Sequence, residues 1–379
     1  VPFWKNLDLS NKDRTSRDKI LILNALTKKT IRNAGTKMYD PSIKKFISAS
    51  TGGTTGFPLE IRRDLECDSV TKAMLWRGRI SWGIFPSSKV VMLFSFGKSS
   101  FLGNLRMRLG KIKVEKAFPS SKDEAKIIYD SIKEFKPYAI EGFPSGLIST
   151  LGALENYEKL NVPVIVSTGE MLYVHQRKDL ENGFNSKIYS YYGCNEIGSI
   201  AFECTHNNLH VCEDHVIVET VDENGESVVD QTGRFLVTDL DNYAMPFIRY
   251  ELGDTGVLSS TPCPCGNPFT VISELHGRTQ DYLSSGEGNK LPATQISGFL
   301  RDLKGVGKIQ FIQTSTNDIK VLIENNGSNN VAEIDRIKEE LHNHLGNNVK
   351  VVFENKSKIE RTKRGKVPII VRNKDTENS

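Results

Sequence analysis

The chain of 379 residues carries 50 basic and 46 acidic side chains, so its formal net charge at pH 7 is only +4. This excess is too small to indicate a nucleic-acid partner, and no apolar run reaches the length of a membrane span. Six scattered cysteines are unlike a dense disulfide framework and favour a reducing cytoplasm. The sequence opens at Val1 without an initiating methionine, so we expect it to be trimmed at the front and to carry no secretory signal.

A glycine-rich and hydroxyl-rich stretch near the start is the first candidate binding site. Residues 12–36 before it predict one or two surface helices. From Ala49 to Pro58, glycines alternate with hydroxyl side chains, a composition that can wrap an anion. Apolar residues at 46–47 and 59–61 predict a loop between two strands, whereas a Walker loop leads into a helix through Gly-Lys-Ser/Thr, which this loop lacks. A plain Gly/Thr linker is the alternative.

Helices and buried strands alternate from residue 64 to residue 193, which predicts an α/β architecture. The predicted helices cover residues 64–83 and 122–135 and begin again near Ser145, and the predicted strands cover residues 89–94, 138–142, 162–167 and 187–193. Strand-to-helix junctions line ligand crevices in open α/β sheets. Phe143, Ser145, residues near Gly169 and residues 96–97 are therefore candidate walls of a substrate pocket, although core packing explains aromatic side chains equally well.

Two polar motifs follow in the second half of the chain. Tyr192-Gly193 ends a predicted strand and precedes Glu196; the ring can stack on a purine, and the carboxylate offers magnesium a hard oxygen ligand. Short strands predicted at 216–219, 233–238 and 247–250 favour an antiparallel subdomain that ends at Gly253-Asp254. An aspartate after a strand can accept hydrogen bonds from two sugar hydroxyls. A core tyrosine, a solvated glutamate and a turn aspartate are the alternatives.

Cysteine and histidine spacing indicates a candidate metal site. The close pairs are Cys204 with His210 and Cys263 with Cys265. Together they offer three thiolates and one imidazole, the soft tetrahedral donor set that zinc prefers. His206 and Cys212 compete for the same roles, and separate free thiols are the alternative. A water-activating zinc usually has His/Glu-rich ligands, so the pattern favours a structural ion.

Five motifs in this order resemble those of the adenylate-forming superfamily of acyl-CoA synthetases and peptide-synthetase adenylation domains. They are Ser50–Pro58, Tyr192-Gly193 with Glu196, Tyr250 with Gly253-Asp254, Gly277–Asp281 and Arg361–Lys366. Each is weak alone, but five in the right order rarely arise together by chance. Residues 246–250 and the Cys263/Cys265 pair resemble most closely the phenylacetate-CoA ligase and capsular-polysaccharide ligase-like branch, which also implies the structural zinc.

The resemblance implies roles for individual residues. In the phosphate-binding loop these are Ser50, Thr51, Gly53, Thr54, Thr55 and Gly56, and around the adenine and ribose they are Gly169, Glu170, Tyr192, Gly193, Asp254 and Arg278. Glu196 would hold magnesium, and Lys366 would be the mobile catalytic lysine, assisted by Thr54, Glu196 and Arg278. Asp281 would be the hinge. Gly52 and Phe57 replace a usual hydroxyl residue and a frequent lysine, which predicts weaker phosphate binding or an unusual substrate.

The expected fold class is α/β, with a large N-terminal α/β domain that includes an antiparallel β subdomain, plus a small C-terminal α+β lid domain. The expected boundaries are 1–277 for the ATP- and carboxylate-binding domain, 278–281 for the hinge and 282–379 for the mobile lid. In the lid, the pattern predicts a helix near 294–303, a hairpin over 308–324, a helix over 331–345 and a strand over 349–353.

The resemblance implies an ATP-dependent ligase that forms an acyl-adenylate from a small carboxylic acid and releases pyrophosphate. Coenzyme A or the pantetheine of a carrier protein is the expected acceptor. One alternative passes AMP or the acyl group to an amine, a hydroxyl or a sugar, for example in polysaccharide biosynthesis. The other alternative is a non-catalytic nucleotide-binding protein.

Overall fold

The computed structural model describes residues 1–5, 16–50, 59–93, 107, 109–116, 119, 121–154, 158–278, 282–292, 296, 299–300, 309–324, 331–357, 359–360 and 368–372. The α-helices within these ranges are α1 (Ser16–Leu21), α2 (Lys28–Ala34), α3 (Leu65–Ser81), α4 (Lys122–Phe135), α5 (Pro144–Ala153), α6 (Val174–Phe184) and α7 (Val331–Leu345). The first strands are β1 (Phe46–Ser50), β2 (Glu60–Asp64), β3 (Val90–Leu93), β4 (Ile112–Glu115), β5 (Ala139–Gly142), β6 (Val164–Thr168), β7 (Lys187–Cys194), β8 (Gly198–Glu203), β9 (Leu209–Val211) and β10 (Val216–Val221). The others are β11 (Gly233–Asp239), β12 (Tyr250–Ser259), β13 (Val271–Arg278), β14 (Tyr282–Ser284), β15 (Lys290–Pro292), β16 (Ile309–Gln313), β17 (Asp318–Glu324), β18 (Lys350–Lys356) and β19 (Ile370–Arg372).

One mixed sheet of eleven strands forms the centre of the protein, in the order β10-β11-β12-β13-β9-β8-β7-β6-β5-β3-β4. Neighbours from β4 to β7 run parallel, and neighbours from β7 to β10 run antiparallel. Strands β5 and β6 are buried along their whole length, as expected of parallel strands covered on both faces. The predicted antiparallel strands therefore continue the parallel sheet through β8 and β9.

Helices cover this sheet and form two hydrophobic cores with it. In α4 the buried residues Ala125, Ile128, Tyr129 and Ile132 recur at helical spacing, and Ser121 caps the helix by accepting the Glu124 N–H at 3.1 Å. The predicted helix of residues 122–135 is confirmed because apolar period and cap agree. Among the helices described above, none is both long enough and apolar enough to cross a bilayer.

The glycine-rich stretch is flanked by a β-hairpin, as predicted. Strands β1 and β2 pair antiparallel from Phe46 opposite Asp64 to Ser50 opposite Glu60. Asp64 then caps α3 by accepting the Cys67 N–H at 2.9 Å. Leu59 and Ile61 are buried in the core on that side of the sheet, so β2 is anchored to it. Residues 51–58 lie outside the described part of the chain.

Strand β12 differs from the predicted pattern. The sequence places a short strand at 247–250 and a turn after it, whereas the structure has one strand from Tyr250 to Ser259. Asp254 therefore lies within a strand. The reason is an irregular register: Leu236 pairs with Glu251 and Arg234 with Thr255, so three residues of β12 face one residue of β11. Gly253, with φ at +85°, takes the backbone conformation that this bulge needs.

The C-terminal region has its own sheet, in the order β18-β17-β16-β19, and its own hydrophobic core. Helix α7 packs Ile337 and Leu341 into that core with Phe311 and Val321. The predicted hairpin and the helix over 331–345 are confirmed, and most of the helix predicted near 294–303 lies outside the described residues. The α/β class with a small C-terminal α+β part is confirmed, while the domain boundaries stay predictions.

Candidate active site and metal centre

Tyr192 and Asp254, which come from different sequence motifs, are in direct contact. The Tyr192 hydroxyl donates to Asp254 Oδ2 at 2.6 Å. Asp254 stands opposite the backbone of Arg278 in the pairing of β12 with β13. Hydrogen bonds to a carboxylate are stronger than those between neutral groups. The contact therefore holds the end of β7 against the bulge of β12 and brings three predicted site residues to one place.

Glu196 occupies the turn between β7 and β8, and its carboxylate is buried, with only 7% of the side chain exposed. The Tyr250 hydroxyl donates to Glu196 Oε1 at 2.9 Å, and Lys28 Nζ lies 3.4 Å from the same oxygen. A buried carboxylate costs free energy unless it is hydrogen-bonded or paired, and these two groups supply both. Glu196 thus already has a cation beside it.

Lys28 is a residue of this site that sequence reasoning missed, because residues 12–36 were interpreted as surface helices only. The segment before α2 pairs with β12: the Leu26 N–H donates to the Arg249 carbonyl at 2.9 Å, and the Glu251 N–H donates to the Leu26 carbonyl at 3.0 Å. Thr27 caps α2 by accepting the Thr30 N–H. The spacing of Thr27 and Thr30 could have located the start of α2. The pairing of Leu26 with β12, in contrast, leaves no signal in the local sequence from which it could be predicted.

The turn that carries Glu196 needs two glycines. A Cβ on Gly193 would lie 2.2 Å from the Gly198 carbonyl oxygen, and Gly198 has φ at +102°. Burial raises the pKa of the Cys194 thiol between them, and the carboxylates of Glu196 and then Asp254 raise it further. Both carboxylates therefore act on the same thiol, so Glu196 and Asp254 lie at the same end of the sheet.

Gly169 and Glu170 follow β6, the strand next to β7, where Thr168 pairs with Tyr191. Gly169 has φ at +73°, a left-handed conformation that favours glycine. Glu170 Oε2 accepts the backbone N–H of Ser145 at 3.1 Å, at the first turn of α5. The carboxylate thus satisfies one of the free N–H groups of that helix. The role predicted for Glu170 along an adenine stays a prediction beside this cap.

Several predicted residues lie outside the described structure: Thr51, Gly53, Thr54, Thr55, Gly56, Asp281 and Lys366, with the side chains of Ser50 and Arg278. The roles predicted for them stay predictions. The strand that follows the glycine-rich loop does contact the candidate site, because Arg63 in β2 donates a hydrogen bond to the carbonyl of Asn195, next to Glu196.

The four predicted zinc ligands, Cys204, His210, Cys263 and Cys265, come together. One potential ligand atom of each lies within 4.8 Å of the others. Cys204 Sγ is 3.7 Å from Cys263 Sγ, and Cys265 Sγ is 3.2 Å from His210 Nε2. His210 Nδ1 lies 3.0 Å from the Phe269 carbonyl, so the ring is oriented with Nε2 toward the thiols. The side chains are in contact rather than separate, which favours the predicted donor set over the alternative of separate free thiols.

Electrostatics at this cluster favour a thiolate at Cys263, whereas burial raises the pKa of the Cys204 thiol. Burial raises the pKa of the Cys263 thiol, but hydrogen bonds from the Cys265 backbone and the Asn208 side chain outweigh it and lower the pKa to about 6. Thiolate is the form that binds metal. His206, one competing ligand, contacts Thr205 through its ring, and the other, Cys212, is buried beside Arg77. The cluster therefore fits the donor set predicted for zinc, with neither competitor in it.

Comparison with known proteins supports the sequence resemblance. The family model described as "CapK C-terminal domain" matches residues 283–373. The chain is 26% identical over 266 residues to a phenylacetate-coenzyme A ligase of Thermus thermophilus. This match covers 66% of this chain and 58% of that ligase. It is 23% identical over 383 residues to Protein CapK of Staphylococcus aureus, which covers 97% of this chain and 84% of that protein.

The fold also matches solved structures. The crystal structure of 2-hydroxyisobutyryl-CoA ligase in the postadenylation state, in complex with 2-HIB-AMP, superimposes with a TM-score of 0.72 at 18% sequence identity. The match covers 93% of this chain and 80% of that one. The chain shares its fold with this CoA ligase. The predicted resemblance to the adenylate-forming superfamily, and within it to the phenylacetate-CoA ligase and capsular-polysaccharide ligase-like branch, is confirmed.

Proposed function

We propose that this chain is an ATP-dependent enzyme that activates a small carboxylic acid as an acyl-adenylate and releases pyrophosphate. The observation that carries the proposal is the pair of contacts between Tyr192 and Asp254 and between Tyr250 and Glu196. These contacts join stretches that lie far apart in the sequence and that were selected as nucleotide-binding motifs. A tyrosine that serves only core packing needs no hydrogen bond to a carboxylate of a distant motif. Two tyrosine–carboxylate pairs at one end of the sheet therefore favour a shared ligand site.

In the proposed reaction a carboxylate oxygen of the acid attacks the α-phosphorus of ATP. A new bond from that oxygen to phosphorus forms as the bond to the bridging oxygen breaks, and pyrophosphate leaves with the electron pair. Asp254 accepts the ribose hydroxyls, Tyr192, Gly169 and Glu170 flank the adenine, and the 50–56 loop surrounds the phosphates. Lys366 and Arg278 stabilise the negative charge that builds on the phosphoryl oxygens, and Thr54 donates a hydrogen bond to them.

Magnesium fits the carboxylate of Glu196. The side chain is buried and offers oxygen donors, and the ion would take the place of the Lys28 ammonium group beside it. When bound, the ion would neutralise charge on the ATP phosphates. A structural zinc would likewise be held by Cys204, His210, Cys263 and Cys265, where it would tie the β8–β9 connection to the loop before β13.

We further propose that the acyl group passes to the thiol of coenzyme A or of a carrier pantetheine. The thiol sulfur attacks the acyl carbon, the bond from that carbon to the AMP oxygen breaks, and AMP leaves. A rotation of residues 282–379 about Asp281 would withdraw Lys366 and admit the thiol. The relatives support this choice of acceptor, because one is a coenzyme A ligase by name.

The test is ATP–pyrophosphate exchange over a panel of aryl, short acyl, hydroxy and amino acids. At least one acid should promote exchange in the native protein, and Lys366→Ala should abolish it while thiolysis of a supplied acyl-adenylate, which forms a thioester and AMP, continues. Lys363→Ala, three residues earlier in the same basic stretch, is the matched control and should retain exchange. ATP binding without exchange on any acid would favour a non-catalytic nucleotide-binding protein.

A second candidate keeps the adenylation step and changes the acceptor to an amine, a hydroxyl or a sugar. The match of residues 283–373 to the CapK C-terminal domain favours this candidate. These residues form the predicted lid, which would meet the acceptor and so would determine which acceptor is used. Product analysis separates the two candidates. A thioester that forms only with coenzyme A or a pantetheine supports the first, and an amide or ester that forms without any thiol supports the second.

A further inference from the structure

A second cluster of possible metal ligands lies away from the cysteines, at the junction of β10 and β11. It consists of His215, which immediately precedes β10, Asp239 at the end of β11, and Asp241 in the segment that follows. One potential ligand atom of each lies within 4.8 Å of the others. The predicted nucleotide, carboxylate and zinc sites use none of these residues.

The strongest sign of a missing ligand is a pair of buried polar atoms. His215 is fully buried and Asp239 is 6% exposed. Within the ranges that the structure describes, His215 Nε2 and Asp239 Oδ2 have no hydrogen-bond partner. Buried polar atoms of native proteins are nearly always hydrogen-bonded or bound to an ion or water, because an unmade bond costs the full desolvation penalty. Two such atoms in one cluster therefore point to a shared ligand.

The remaining contacts hold the cluster together without satisfying it. His215 Nδ1 lies 2.5 Å from Asp241 Oδ2, and the Asp241 N–H donates to Asp239 Oδ1 at 2.9 Å. The Leu240 N–H donates to the His215 carbonyl at 3.0 Å. The two strands thus fix the three side chains beside one another, while one nitrogen and one oxygen remain available for a ligand.

Charge decides the kind of ligand. Two carboxylates face one imidazole, so the cluster carries a net negative charge even when His215 is protonated. A divalent cation would neutralise both carboxylates, whereas a water molecule would leave their charge in place. The Asp241 side chain is 25% exposed, which gives an ion a route from solvent.

We propose that His215 Nε2 and Asp239 Oδ2 bind a divalent cation of the first transition series, while Asp241 orients the imidazole ring through its contact with Nδ1. One imidazole nitrogen with carboxylate oxygens suits Mn²⁺, Co²⁺ or Zn²⁺, in contrast to the thiolate-rich cluster at Cys263. The ion would join the start of β10 to the segment between β11 and β12. That segment is also tied to β2, since the Asn242 side chain donates to the Arg62 carbonyl at 3.1 Å. The role is structural.

Cobalt titration of the full chain, stripped with a chelator and kept reduced, tests the proposal. The native protein should bind about two Co²⁺, one with thiolate charge-transfer bands and one without them. Asp241→Asn should lose only the ion without thiolate bands, and the Cys263→Ser/Cys265→Ser variant should lose only the other. Glu223→Gln, which removes an exposed carboxylate between β10 and β11, is the matched control and should bind both ions.

A measurement with the cluster intact covers the case in which Asp241→Asn fails to fold. Electron paramagnetic resonance of the Glu196→Gln variant without nucleotide, in which the proposed magnesium site is removed, should show about one bound Mn²⁺, because manganese prefers nitrogen and oxygen donors to thiolates. The proposal is overturned if native protein binds cobalt only through thiolates, if Glu196→Gln binds no manganese, or if folded Asp241→Asn binds as many ions as native protein. Pyrophosphate exchange is measured separately, so its absence does not affect this result.

Discussion

Two carboxylates at one end of the central sheet, Glu196 and Asp254, are each held by a tyrosine hydroxyl from another strand. Such bonds fix the rotamers of groups that would have to meet a nucleotide in a defined geometry. Preorganised groups need no rearrangement when charge develops during reaction, which is the main source of electrostatic catalysis. At the scale of single residues, the proposed nucleotide site therefore depends on these two tyrosine–carboxylate pairs and on Lys28.

Replacing Tyr192 by phenylalanine tests the first pair. The Tyr192→Phe variant keeps the ring but loses the bond to Asp254, which then orients the ribose less well. We expect the KM for ATP to rise about tenfold, the effect of losing one hydrogen bond to a charged group, with kcat within about twofold. Steady-state kinetics of pyrophosphate release measures both constants.

The neighbouring tyrosine provides the control for this test. Tyr191 is partly buried like Tyr192, but desolvation and then the Glu141 carboxylate raise its pKa to about 12, which places it in a different environment. Tyr191→Phe should leave the KM for ATP unchanged in folded protein. Equal KM values for native protein and Tyr192→Phe would contradict a role for the Tyr192–Asp254 contact in nucleotide binding.

The ion pair between Lys28 and Glu196 leads to a second prediction. Because the ammonium group and a magnesium ion would compete for one carboxylate, Lys28→Met should lower the magnesium concentration at half-maximal pyrophosphate release. The expected shift is about two- to fivefold, as for a partly exposed ion pair. Lys29→Met, at the next and more exposed position of α2, should show no shift. A need for more magnesium in Lys28→Met would indicate that Lys28 contacts the phosphates instead.

At the scale of elements, the β7–β8 hairpin positions the carboxylate of Glu196. Its two strands approach so closely that Gly193 has no room for a side chain against the backbone of Gly198. Backbone atoms cannot rotate away from a methyl group as a flexible side chain can. The conformation of the turn, and with it the position of Glu196, therefore depends on this glycine.

Gly193→Ala should disturb the turn and abolish most adenylation. A Cβ 2.2 Å from the Gly198 carbonyl forces the strands to shift, at an expected cost of about 2 kcal/mol or more in the free energy of unfolding. Gly152→Ala in α5 is the control, since its Cβ would meet nothing within 4 Å and alanine favours a helix. Urea denaturation gives the free energies. An unchanged activity in Gly193→Ala would contradict this role of the turn.

Comparison of two elements shows what the sequence could predict. Helix α4 was predicted with its observed ends because its buried residues repeat at helical spacing and Ser121 supplies a cap. Strand β12 was predicted too short because its length comes from pairing with β11 and β13 across a bulge, which depends on other strands. Local signals therefore defined helices and motif positions, while the contacts of Lys28 and Asp254 depend on tertiary pairing.

At the scale of the whole molecule, the cysteine cluster joins parts of the chain that lie far apart in sequence. Cys204 and His210 bracket the β8–β9 connection, and Cys263 and Cys265 lie in the loop before β13. A bound zinc would restrain both loops in the folded state and would add its binding free energy to folding. The cluster is therefore expected to govern stability rather than chemistry.

Removal of this metal should lower the melting temperature. We expect purified protein to contain about one zinc at the cluster, and Cys263→Ser to lose it and to melt at least about 5 °C lower. His206→Ala changes the competing ligand outside the cluster and should keep both the metal and the melting temperature. Elemental analysis and calorimetry measure the two quantities. A native protein without zinc, prepared without chelators, would contradict the assignment.

The central claim is that an oxygen of the acid attacks the α-phosphorus of ATP. The most direct measurement uses an acid from the exchange panel labelled with ¹⁸O in its carboxylate, followed by mass spectrometry of the AMP released after transfer to the acceptor. The account predicts one ¹⁸O atom in AMP, and Glu196→Gln should abolish its formation. Label found in inorganic phosphate, or AMP without label, would contradict the proposed acyl-adenylate.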